Sequence, residues 1–170
     1  MDNVELANRE NELYSIVLET YRTPRKMGDK DQLNDKGVYD KYKQVHRLYA
    51  DNSGKDLESL KRGLFIQWYY LCEPPYLTGI NELDENAERK IIEQLDYLIT
   101  ADKLDFELKW MLKYYYNWDY VFERFKKYKG LQDWIKNQMG SELPDTIDRN
   151  EMQQRGRMGR YWNSLNRYSK

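Results

Sequence analysis

The sequence is poor in the residues that most metal and nucleophile chemistry requires. It contains one cysteine, Cys72, and one histidine, His46, among 170 residues. A single cysteine excludes an internal disulfide and a multi-cysteine zinc site, and a single histidine excludes HExxH and other multi-histidine metal sites. Both residues lie in apolar stripes of different predicted helices, so we predict that they are structural and do not form a nucleophilic pair.

Motifs that cradle phosphate or expose a nucleophile are also missing. No GxxxxGK[ST], GxGxxG or GxSxG pattern occurs in the chain, so a glycine-loop phosphate site and a hydrolase nucleophile elbow have no support. The lone histidine likewise does not supply the Glu-x-x-His pairs of a di-iron bundle. We therefore expect a non-enzymatic protein with no catalytic residue, no metal and no cofactor.

Long hydrophobic runs and a secretory signal are absent as well. No apolar run approaches the roughly 18 residues that cross a bilayer. The N-terminal stretch MDNVELANRENELYS has neither the basic nor the apolar region of a signal peptide. A lone cysteine is consistent with a reducing compartment. These features together predict a cytoplasmic protein with no membrane partner.

The residues that are present predict an all-α fold. Apolar residues recur at spacings of three and four along most of the chain, which is the period of amphipathic helices. We predict a single compact domain of six or seven helices, an irregular bundle with a long central helix around residues 105–127. Another helix is predicted to end at Cys72, because Pro74 and Pro75 follow it, and PPYLTG is predicted to be an extended connector.

Positive charge is concentrated at the C-terminal end. Residues 149–170 carry a net charge of +5, whereas residues 1–148 carry −6. We therefore divide the chain into a helical domain, 1–148, and a basic C-terminal helix or tail, 149–170, which Gly156 and Gly159 are expected to weaken as a helix. Such asymmetry is typical of an arm for an acidic partner, but it also fits a basic helix that lies on the acidic body of the same chain.

Aromatic side chains are abundant, with 16 Tyr and 5 Trp against 4 Phe. Tyrosine and tryptophan are favoured at recognition surfaces because they combine a large apolar area with a polar tip. Three tyrosines in a row, residues 114–116, cannot all face the core, since consecutive helical residues point about 100° apart. The candidate binding residues are Glu73, Tyr76, Tyr116, Arg155, Arg157, Arg160, Tyr161 and Trp162.

Three functions remain open at this point. The main hypothesis is a protein-binding or regulatory protein that acts through an aromatic-rich surface on a protein partner or on a second copy of itself. One alternative is an enzyme or small-ligand binder with a carboxylate and tyrosine pocket near the EPPY turn, where Glu73 and Tyr76 would converge. The other is nucleic-acid binding through the C-terminal arm, whose arginines and rings suit phosphates and bases, although a pI of about 6.0 is low for that class.

Overall fold

The computed structural model describes residues 1–22, 31–118, 120–137, 143–144 and 147–165. Within those ranges every regular element is a helix and no strand occurs, which confirms the all-α prediction. The helices are α1 (Asn3–Arg22), α2 (Gln32–Asp35), α3 (Val38–Asn52), α4 (Leu57–Cys72), α5 (Pro75–Thr78), α6 (Glu85–Thr100), α7 (Phe106–Tyr115), α8 (Tyr120–Glu123), α9 (Lys129–Lys136), α10 (Arg149–Gln153) and α11 (Gly156–Leu165).

Helix α4 is the element around which the others pack. Every residue from Ser59 to Trp68 is buried, and α4 contacts α3, α6 and α11. Its first turn is capped by the Asp56 carboxylate, which accepts from the Ser59 backbone N–H, as expected of an aspartate at that position. It ends at Cys72 as predicted, because Glu73 precedes a proline and adopts extended geometry.

The predicted long helix around residues 105–127 is wrong. Helix α7 ends at Tyr115, the chain turns, and the short α8 follows. Asn117 is a weak helix former whose side chain competes for backbone hydrogen bonds, and the ring of Trp118 lies 5.3 Å from that of Trp68 in a T-shaped contact. Burying Trp118 against α4 favours a turn here over a straight continuation of α7.

The predicted extended connector after α4 is also wrong in part. Residues 75–78 form α5, because a proline at the first helical position lacks only an N–H that would have no partner there. Gly79 then ends this turn with φ +76°. A Cβ at Gly79 would lie 2.7 Å from Val17 Cγ2 of α1, so the glycine also permits close packing.

The C-terminal segment forms two helices where the sequence predicted one, and its last five residues, 166–170, lie outside the described part of the chain. Helices α10 and α11 meet near Arg155. Gly156 has φ +58°, and a Cβ at Gly159 would lie 1.7 Å from the Met152 carbonyl oxygen. The two glycines therefore allow a tight α10–α11 junction, and α11 packs on α1 and α4.

Much of the aromatic content lies inside the molecule. The rings of Trp68 and Tyr115 stack at 4.9 Å, and Trp110 meets Trp162 edge-on at 4.6 Å. These contacts join α4, α7 and α11 through large apolar rings. Among the described helices, none has the length and apolar character needed to cross a membrane.

Candidate functional site

A cleft of about 550 Å³ opens where α1, α4 and α11 meet. Its volume is within the range of small-molecule and side-chain binding pockets. Most of its lining side chains are tyrosines or arginines, and none is acidic. The lining comprises Tyr14 of α1, Tyr69 of α4, Gln153 of α10, and Arg157, Arg160, Tyr161, Asn163 and Ser164 of α11.

Arg157 is the most deeply buried charged residue of the cleft wall, with 6% of its surface exposed. Its guanidinium carbon lies 3.4 Å from the centroid of the Tyr14 ring and 5.3 Å from that of Tyr69. Nη2 donates a hydrogen bond of 3.1 Å to the Tyr69 hydroxyl, whereas Nε has no acceptor among the described residues. The cation is thus fixed between two rings, with donor capacity left over.

Arg160 adds a second cation to the same wall. Its guanidinium carbon lies 5.7 Å from the Tyr14 ring centroid, and its Nε donates to Asn11 Oδ1 at 2.8 Å. In contrast to Arg157, the Arg160 side chain is exposed. Because the two residues are three apart on one helix, they project from the same face of α11. Two positive charges therefore border one tyrosine ring.

A buried carboxylate joins α1 to the start of α11 behind the cleft. Glu10 is 1% exposed, and its two oxygens accept from the Tyr49 hydroxyl at 2.5 Å and from the Arg157 backbone N–H at 3.2 Å. Burial raises the pKa of the Glu10 carboxyl above its ordinary value, although the Tyr49 hydrogen bond and the nearby arginines oppose that rise. Glu10 therefore fixes the backbone position from which Arg157 projects.

Two tyrosines of the cleft, Tyr69 and Tyr161, are held in place and are poor acids. Tyr161 and Tyr114 share a hydroxyl hydrogen bond of 2.8 Å, and the rings of Tyr69 and Tyr161 meet edge-on at 5.6 Å. Burial raises the pKa of Tyr69 and of Tyr161, and for Tyr161 the bond to Tyr114 raises it further. These hydroxyls stay protonated at neutral pH and can donate or accept hydrogen bonds.

Two predicted residues of the C-terminal segment do not line the cleft. Arg155 donates to the carboxylates of Glu58 on α4 and Glu107 on α7, with one Nη1–oxygen distance of 2.5 Å to Glu107. Trp162 is fully buried against Trp110. The structure thus brings Arg157, Arg160 and Tyr161 together at the cleft and directs Arg155 and Trp162 into packing contacts.

The remaining predicted residues lie elsewhere. Glu73 follows the last turn of α4 and is exposed, Tyr76 is exposed on α5, and Tyr116 is half-buried after α7. None of the three lines the cleft. Glu73 and Tyr76, which the EPPY hypothesis places in one pocket, are therefore not part of the Arg157 cleft.

The sequence did not predict the other cleft residues, which are Tyr14, Tyr69, Gln153, Asn163 and Ser164. Tyr69 belongs to the aromatic run that ends α4. The neighbouring sequence does not indicate that the Tyr69 ring lies at the cleft while the Trp68 ring is buried. Tyr14 is more than 140 positions from Arg157 in the chain, and no spacing rule joins residues so far apart. Their shared role depends on how α1, α4 and α11 pack.

The lone histidine and cysteine lie in different surroundings. His46 is fully buried, and this burial lowers the pKa of its imidazole to about 3. Burial raises the pKa of the half-buried Cys72 thiol to about 11, and the Tyr120 hydroxyl lies 3.8 Å from its sulfur. Both groups are therefore neutral at pH 7. In the described ranges, no group of three or more His, Cys, Asp or Glu side chains could hold a metal ion.

Comparison with known proteins adds no family to this description. No family model matches the chain, and neither the curated proteins nor the solved structures include a match. The functional argument therefore depends on the all-α fold and on the chemistry of the arginine–tyrosine cleft.

Proposed function

We propose that this is a non-enzymatic binding protein that contacts a partner protein through the face containing the arginine–tyrosine cleft. The supporting observation is the buried Arg157 guanidinium, held against the Tyr14 and Tyr69 rings at the wall of an open cleft. Arginine, tyrosine and tryptophan in partly desolvated pockets are the residue types that dominate binding energy at protein interfaces. The arrangement suits contact with an anionic group of the partner.

Several features favour binding over catalysis. Tyr69 and Tyr161 have raised pKa values, and the cleft lining contains no carboxylate, histidine or cysteine. General acid–base catalysis works best with a group whose pKa lies near the working pH. Recognition by shape, charge and hydrogen bonds needs no such group.

Nucleic-acid binding through the C-terminal segment is a weaker proposal. Arg155 is paired with two carboxylates of its own chain, and Arg157 is buried. Arg149 and Arg160 are the exposed arginines of this segment among the described residues, whereas phosphate-backbone binding draws on several accessible cations. The cleft therefore suits one localised anionic group better than a polyanion.

We propose the cytoplasm as the working compartment. The basis is the single cysteine, which fits a reducing environment. A partner found in that compartment would agree with this assignment.

Photo-crosslinking from the cleft tests the proposed function. A benzoylphenylalanine at Ser164, which is exposed and lines the cleft, would be activated in cells that produce the protein. A matched control carries the same probe at Tyr97, which is 54% exposed on α6. We expect a discrete crosslinked partner from position 164 and none of that species from position 97.

The outcomes of this experiment are distinct. If the crosslinked species is a second copy of this chain, the partner is the protein itself and the cleft lies at a homo-oligomer interface. A nucleic acid at position 164, or the same set of proteins from both positions, would contradict the proposal.

A further inference from the structure

The charge and volume of the cleft indicate what kind of group it accepts. Arg157 and Arg160 place two guanidinium groups near the Tyr14 ring, and the cleft lining contains no acidic side chain. A guanidinium matches phosphate and carboxylate oxygens with paired N–H donors. A phosphate monoester carries a charge of about −1.5 to −2 at pH 7, so it balances two arginines better than a single carboxylate does.

The two arginines use only part of their N–H donors within the described part of the chain. Arg157 uses Nη2 for the Tyr69 hydroxyl, and its Nε has no acceptor in the described part of the chain. Only 6% of the Arg157 surface is exposed, and its charge also acts on the buried Glu10 carboxyl. Arg160 uses Nε for Asn11 and is exposed at the rim.

The cleft is too large for an inorganic anion alone. Its volume of about 550 Å³ is comparable to that of sites for ring-containing ligands. Tyr69 and Tyr161 border the space with aromatic surface, against which a planar ring packs favourably. Asn163 and Ser164 add polar groups to the wall, and Asn163 Oδ1 has no hydrogen-bond donor among the described residues.

We propose that the cleft binds a phosphate group carried on or beside a planar ring, with Arg157 and Arg160 holding the phosphate and Tyr69 and Tyr161 contacting the ring. A phosphorylated tyrosine side chain of a partner and a free nucleoside monophosphate share this chemistry. For the phosphotyrosine source this inference rests on the proposed function, because it specifies which group of the partner the cleft recognises. If the ligand is a phosphotyrosine, the interaction depends on phosphorylation of the partner.

Calorimetric titration of the full chain with three small probes tests the ligand class. Phenyl phosphate carries both recognition elements, inorganic phosphate only the anion, and benzyl alcohol only the ring. We expect phenyl phosphate to bind at least tenfold more tightly than either of the others. Equal affinity for phenyl phosphate and inorganic phosphate, or no saturable binding of phenyl phosphate, would overturn the proposal.

Substitutions locate the binding in this cleft. Arg157→Met should weaken phenyl phosphate binding at least tenfold and Arg160→Met about fivefold, while Arg89→Met, which removes an exposed arginine of α6 bonded to Asn86, should leave it unchanged. Circular dichroism checks that each variant is folded. If buried Arg157→Met does not fold, exposed Arg160→Met decides, and wild-type affinity in that variant refutes the assignment.

Two further ligands separate the sources. A pentapeptide Gly-Gly-phosphotyrosine-Gly-Gly that binds more tightly than adenosine monophosphate indicates a side chain of a partner protein, and the reverse order indicates a free nucleotide. Failure of all phosphate probes with a retained Ser164 crosslink would refute this inference and leave the proposed function standing. Binding of the phosphate probes without any crosslinked protein would refute the proposed function and leave phosphate recognition by the cleft standing.

Discussion

Two arginines only two residues apart on the C-terminal segment have opposite surroundings. Arg155 donates to Glu58 and Glu107, so its charge is balanced within the chain. The Arg157 guanidinium instead lies against the rings of Tyr14 and Tyr69, and rings attract a cation without neutralising it. The first arginine therefore stabilises the fold, whereas the second places its guanidinium at the wall of the cleft, with the buried Glu10 carboxyl as a nearby acidic group.

Gly156 is the residue whose replacement most directly tests how the cleft is built. Its φ is +58°, and an added Cβ would lie 2.5 Å from Glu10 Oε1. We expect Gly156→Ala to lower the free energy of unfolding by about 3 kcal/mol or more, because left-handed strain of roughly 1–2 kcal/mol adds to displacement of a buried carboxylate. Chemical denaturation measures the change.

Gly37 provides the matched control for that substitution. Its φ is +64°, but no atom lies within 4 Å of the position its Cβ would occupy. Gly37→Ala should therefore cost only the left-handed strain, about 1–2 kcal/mol. Equal losses of stability in the two variants would show that contact with Glu10 does not constrain the start of α11.

At the level of elements, a charged network joins α4, α7 and the α10–α11 junction. Lys61 and Arg155, both nearly buried, donate to Glu107, and Arg155 also donates to Glu58. Burial alone would raise the pKa of the Glu107 carboxyl, but the hydrogen bonds from Arg155 and Lys61 outweigh it, so this pKa lies below its ordinary value of 4.5. The network thus stabilises the fold while Glu107 is ionised.

The pH dependence of a Glu107→Gln variant tests this network. Because the folded pKa is depressed, the contribution of Glu107 is complete above pH 4.5 and is lost as the pH falls through the folded value. At pH 7 we expect the variant to lose about 2 kcal/mol of unfolding free energy, as for hydrogen bonds to charged groups. Urea denaturation should show this difference from wild type shrinking below pH 4.5.

An exposed carboxylate serves as the reference for that measurement. Glu85 lies in the first turn of α6 and is exposed, so Glu85→Gln should change stability by less than about 0.5 kcal/mol, the usual range for surface substitutions. A Glu107→Gln difference that stays constant or grows between pH 7 and pH 3.5 would contradict the network's role.

The sequence predicted those features of the elements that depend on neighbouring residues, and it did not predict those that depend on contacts between helices. The end of α4 at Cys72 was predictable, because the two prolines act on their immediate neighbours. The break after Tyr115 was not, since apolar periodicity continues through it and the turn depends on Trp118 meeting Trp68 of another helix. Of the cleft, Arg157, Arg160 and Tyr161 were predicted from their local mixture of charge and rings, while Tyr14 and Tyr69 required the packing of α1 and α4 on α11.

For the whole molecule, some of the basic charge of the C-terminal segment is paired with acidic residues of the same chain. Helix α11 of the basic C-terminal segment packs on α1 and α4, and Arg155 pairs with acidic residues of α4 and α7. Part of the charge asymmetry is therefore balanced inside the fold. Among the described residues, Arg157 and Arg160 lie together at one cleft, and the proposed function depends on that cleft.

The most direct test of that account uses the partner protein that is identified by crosslinking from position 164. Its affinity is measured for the Arg160→Met variant and for wild type. Arg160 is exposed, so its replacement leaves the fold intact while it removes one of the two cleft cations. We predict that the purified partner binds the variant at least tenfold more weakly than wild type, about 1.4 kcal/mol, and binds the Arg89→Met control as wild type. An Arg160→Met affinity equal to that of wild type would contradict binding through the cleft.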